Sequence, residues 1–257
     1  MDINNLYKKI TSELEEKAIC KFKSKEEYLN WSQKVYDDQG YRFYKLSVPE
    51  IDTIVKKYIN QFNVLSFDER LDLAKKFYKS GYIGQTSFGL KLLELSLTEL
   101  TPKNFDYIDN IVSNFTGWGP TDSFSLYIMQ PLLNKYPIEV KRLLEKWNRS
   151  QHLWKKRASV VVFTRKVGAS GEYIDYLLKL CDTLIWDKED LVRKAVGWAL
   201  KDNMIGKNKE KVLKYVKKLR EMGVSSTITL YAIRKLKGKE REEILKIKPK
   251  KIENKII

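Results

Sequence analysis

Apolar residues recur at three- and four-residue spacing from one end of this 257-residue chain to the other, and that pattern admits little except packed helices. Phe88, Leu90, Leu92, Leu93, Leu95 and Leu97 crowd a stretch that suits a largely buried helix. Leu143, Leu144 and Trp147 mark one face of an amphipathic one. Only 12 glycines and 6 prolines interrupt the pattern, too few for the tight turns of an all-β protein. The breaks that do occur are polar and short. Pro49, Pro102 and Pro137 each follow one and suit a helical first turn, where a missing N–H costs nothing. Gly81, Gly168, Gly171, Gly206 and Gly223 punctuate other boundaries. The spacing predicts roughly a dozen helices with short connections.

Two of these segments resemble each other. Leu153-Trp-Lys-Lys-Arg-Ala-Ser-Val-Val aligns with Leu191-Val-Arg-Lys-Ala-Val-Gly-Trp when Ala158 is set on Ala195, 37 residues later. Ser123 begins a weaker match about one period earlier. Helix pairs of about 40 residues stack into curved solenoids with a concave face, so the expected fold is all-α, a HEAT-like helical repeat. An irregular helical bundle is the alternative. Residues 1–245 read as one domain, with N-terminal helices to about 45 and repeats from about 46 onward. Residues 246–257, with five lysines in the first ten, read as a flexible basic tail.

Charge narrows the partner. Forty-nine Lys and Arg against 33 Asp and Glu leave +16, which favours a polyanion: nucleic acid first, an anionic membrane surface second. The longest apolar run, Val160–Phe163, is far too short to span a bilayer, and the opening residues read as an amphipathic helix rather than a leader. The expectation is a soluble, cytoplasmic monomer. Cys20 and Cys181 form no CxxC pair, and His152 is the single histidine, so neither a metal site nor a cofactor is expected. Acid–base chemistry then falls to carboxylates.

Three clusters set tryptophan among charges. In Phe115-Thr-Gly-Trp-Gly-Pro-Thr-Asp, Trp118 and Asp122 are four apart, which puts them on one face of a continuous helix. Pro120 reads as the helix start, however, leaving Trp118 in the entering turn. A core tryptophan beside an acidic first turn is the plainer account. In Leu153-Trp-Lys-Lys-Arg-Ala, the residues Lys155, Lys156 and Arg157 point about 100° apart and cannot all face the core. They read either as a groove mouth that grips phosphate or as a solvated basic face. In Asp190-Leu-Val-Arg-Lys-Ala-Val-Gly-Trp-Ala-Leu, the apolar arc of Val192, Val196 and Ala199 leaves Trp198 at its edge. Gly197 beside it suggests the close approach of a neighbour or ligand, or Trp198 is simply core.

In order, spacing and content these clusters resemble the AlkD-like DNA alkylation repair glycosylases. The match runs over about residues 25–235, with Arg-Lys-Ala-Val-Gly-Trp its most specific part. The segment Tyr41-Arg-Phe-Tyr-Lys-Leu-Ser-Val-Pro-Glu resembles the family's passage from N-terminal helices into repeats. The Gly-Trp-Gly-Pro-Thr-Asp stretch is richer in helix breakers than the family pattern. The resemblance implies Asp122, Trp118 and Trp198 as catalytic residues. It implies DNA contacts from Arg157, Tyr36, Lys155, Lys156, Arg193 and Lys194. The implied activity is excision of positively charged N3- or N7-alkylated purines from duplex DNA, with the damaged nucleotide left stacked and no deep base pocket. Two other readings stand beside it: a non-catalytic relative that recognises bent or branched DNA, and a protein-interaction scaffold.

Overall fold

Polar side chains cap the starts of several helices. In the computed structural model, which describes residues 2–250, the first unit spans Met1–Val140. It contains α1 (Ile3–Ile19), α2 (Lys25–Gln39), α3 (Val48–Asn63), α4 (Phe67–Lys79), α5 (Thr86–Leu95), α6 (Phe105–Val112), α7 (Trp118–Phe124) and α8 (Gln130–Lys135). The Asp2 carboxylate accepts from Asn4 N–H, and the Ser24 hydroxyl from Glu27 N–H. At α4, Ser66 and Glu69 accept each other's backbone N–H, so two otherwise orphaned donors are satisfied at once. Pro49 sits in the first turn of α3 and Pro137 opens α9 (Pro137–Asn148), as the sequence predicts. Two layers result. α3 packs on α5 and α5 on α7, while α1, α4 and α6 form the layer behind, joined through the α4–α5 contact. The core between them holds Tyr58, Phe62, Phe77, Phe88 and Phe124, all fully buried.

The second unit, Lys141–Ile257, follows the boundary inside α9. It contains α10 (Leu153–Val161), α11 (Arg165–Ser170), α12 (Ile174–Leu184), α13 (Asp190–Ile205), α14 (Lys209–Glu221), α15 (Ser226–Ala232) and α16 (Gly238–Lys246). α10, α13 and α15 stack in one layer, with α12 and α14 behind. The repeat seen in the sequence is the repeat of the fold. Ala158 and Ala195 are both fully buried, and so is Ala232 one further period on. Bonds between positions 37 residues apart tie successive repeats: Arg165 N–H to the Asp202 carboxylate, and the Asn208 amide to the Gly171 carbonyl.

Among the described residues there is no strand, only an isolated bridge between Arg42 and Tyr82. The chain is all-helical, as expected, and among the described residues no helix is long and apolar enough to cross a membrane. Of the basic tail, Lys246 closes α16, and Lys250 is tied to the end of α14 by a bond from its N–H to the Glu221 carbonyl. Residues 251–257 lie outside the described part of the chain.

Candidate nucleic-acid interface and catalytic residues

α7 begins two residues earlier than Pro120 suggests. Gly117 is its N-cap and Trp118 its first residue, so Pro120 occupies a first-turn position whose N–H has no intrahelical partner in any case. A Cβ at Gly117 would lie 2.8 Å from Ile83 Cδ1, the tip of a side chain that would have to shift. The early start places Trp118 and Asp122 four apart within one helix and therefore on one face. Their exposures differ sharply: Trp118 is 60% exposed and Asp122 only 8%. The helix then passes into a π turn, Ser125–Met129, in which Gln130 N–H bonds to Ser125 O. Pro131 follows directly, and the slipped ladder accommodates its missing donor. A groove of about 430 Å³ between α3, α5 and this turn is lined by Val48, Lys56, Lys91 and Tyr127, but by neither Trp118 nor Asp122.

In the second unit the basic clusters are wired into the fold. Lys155 and Lys156 are partly exposed and Arg157 is buried. The Lys156 ammonium lies 2.5 Å from the Asp187 carboxylate, with side chains 14% and 10% exposed. Arg157 is buried, and its Nη1 donates to the Leu191 carbonyl in the first turn of α13. Arg193 Nε donates to the Asp187 carbonyl, which leaves Lys194, ion-paired to Asp190, as the exposed cation of this helix. Gly197 meets a neighbour: an added Cβ would lie 2.6 Å from Tyr231 Cβ and 2.9 Å from Ile228 O on α15. Trp198 is half-buried at the edge of the apolar arc, as its position predicts.

Against this geometry, a family model described as DNA alkylation repair enzyme matches residues 15–236. The chain belongs to the DNA alkylation repair enzyme family. Among solved structures, one described as a predicted DNA alkylation repair enzyme from Enterococcus faecalis superposes with a TM-score of 0.67, covering 80% of this chain and 94% of that one. Their sequences are 13% identical, so the likeness is one of fold. No curated protein matches the sequence.

Within this member of the family, several residues that shape the signature positions carry no motif of their own. Arg165 adopts φ +51° and places its guanidinium carbon 5.7 Å from the Trp198 ring centroid, so the indole already holds a cation. Asp202, 5% exposed, accepts Arg165 N–H and pairs with Lys201. Asp187 gathers Lys156 through its carboxylate and Arg193 through its carbonyl. The one signal that points to Asp202 is its distance of a single repeat from Arg165. Tyr36, on α2, is 44% exposed, with Arg42 5.0 Å over its ring. Among the described residues no cluster of three His, Cys, Asp or Glu side chains could hold a metal ion.

Proposed function

We propose that the protein is a DNA glycosylase that releases N3- and N7-alkylated purines from duplex DNA. The observation that carries this reading is α7: an indole 60% exposed, one turn before a carboxylate 8% exposed on the same face, in a chain of this family. An alkylated purine already bears positive charge, so its glycosidic bond breaks without strong protonation of the leaving group. The bonding pair departs with the base, which becomes neutral, and positive charge gathers on the deoxyribose. A carboxylate held nearby stabilises that charge far better in a poorly hydrated site than in water. Asp122 fills this role and accepts the proton of the water that attacks C1′. The exposed face of Trp118, on the same helix, attracts the cationic nucleotide, worth about 0.5–2 kcal/mol. Lys194 and Lys155 contact phosphates, while Arg157 and Arg193 hold the segments that carry them by donating to main-chain carbonyls.

The test is release of free 7-methylguanine and 3-methyladenine from methylated duplex DNA. Wild type should release both, and Asp122→Asn should lower release at least about 100-fold with DNA affinity retained. Full release by Asp122→Asn would remove the carboxylate from the mechanism. Tight, salt-sensitive DNA binding by a wild type that releases nothing would show the scaffold kept without its chemistry.

A further inference from the structure

The segment that joins α2 to α3 holds two cations in an unusual way. Arg42 is locked at its backbone: its N–H donates to the Gly81 carbonyl at 2.9 Å, and its carbonyl accepts from Ile83 N–H at 3.0 Å. Its guanidinium sits between two rings, 5.0 Å from the Tyr36 centroid and 5.9 Å from that of Tyr82. Three residues on, Lys45 Nζ lies 4.4 Å from the Phe22 centroid and 5.6 Å from that of Trp31. Lys45 does so with φ +54°, a conformation that costs a non-glycine residue on the order of 1 kcal/mol. Among the described residues neither cation has a carboxylate within ion-pairing distance. Lys21, Lys57, Arg70 and Lys91 of the same unit do pair with acids.

An aromatic face attracts a cation without neutralising its charge. A guanidinium stacked on a ring also keeps the N–H edge that matches phosphate oxygens. A backbone already pinned and side chains already seated lose little freedom when an anion arrives. Strain retained at Lys45 is the kind of cost that persists where a position serves binding. We propose that residues 41–45 form a phosphate-binding strap, in which Arg42 and Lys45, each seated on a pair of aromatic rings, take phosphodiester groups of duplex DNA. The choice of DNA rests on the function proposed above. The strap itself rests on the geometry of this segment.

The experiment measures binding of an unmodified duplex to the full chain across a series of salt concentrations. Arg42→Gln and Lys45→Gln should each weaken binding about five- to tenfold at low salt. Each should reduce the slope of log K against log salt by about 0.9, and the double variant by about 1.8. Tyr36→Leu should weaken binding about two- to threefold with the slope unchanged, because it loosens the seat and keeps the charge. Variants that match wild type in affinity and slope overturn the strap. If Arg42→Gln lowers the melting temperature, Lys45→Gln decides, since its side chain is exposed. Wild type that binds DNA but excises nothing removes the glycosylase reading and leaves the strap standing. Wild type with no salt-dependent affinity for duplex overturns both.

Discussion

Trp118 stands 60% exposed at the start of α7, and a Cβ added at Gly119 beside it would meet nothing within 4 Å. Trp198 lies half-buried within α13, and a Cβ added at Gly197 beside it would press into Tyr231 and the Ile228 carbonyl. Both are tryptophans flanked by glycine, yet the two glycines do different work. The first leaves open space around an indole on show. The second lets α15 stack closely on the helix that carries the indole. The charges divide the same way. Around α13 the cations are committed to Asp187, Asp190 and main-chain carbonyls, while at residues 41–45 they are seated on rings and left charged. A motif matched in sequence thus mixes residues that meet a ligand with residues that hold the meeting surface in place.

Five substitutions sharpen or break that contrast. Lys156→Ala strands the Asp187 carboxylate in a mostly buried position and should cost about 3 kcal/mol in denaturant unfolding. A loss near zero would mean that the pair is not the anchor it looks to be. Gly197→Ala should cost about 2 kcal/mol because α15 has to shift, whereas Gly119→Ala should be neutral or stabilise by up to about 0.5 kcal/mol. Equal effects at the two positions would erase the distinction between them. Trp118→Leu should leave the melting temperature close to wild type and lower base release about tenfold. A marked loss of stability would place that indole in the packing after all. Lys194→Ala removes an exposed pair four residues apart on α13 and should cost only about 0.3–0.5 kcal/mol. Chemical denaturation of Lys156→Ala and Lys194→Ala side by side therefore tests whether burial separates the cations of these two basic clusters.

Much of this was legible in the sequence for simple reasons. Helical periodicity and first-turn prolines act over a few residues, so α3 and α9 begin where their own residues direct. The 37-residue spacing of Ala158 and Ala195 marks two fully buried positions on α10 and α13, helices of one layer that pack on each other. Pro120 misled, since proline is tolerated throughout the first turn and does not mark its first residue. Local reading also allowed a solvated face at Lys155–Arg157. The partner that draws Lys156 inward, Asp187, lies 31 residues away in a loop with no motif.

The sequence by itself determined the helical class, the repeat length and the family signature, because these are written in local spacing and in residue types that recur. Which of the charged and aromatic residues meet solvent was decided by tertiary structure alone. Helix stacking turned Gly197 into a contact, and burial paired Lys156 with Asp187. A pinned backbone seated Arg42 on two rings, because exposure depends on what the rest of the chain brings alongside.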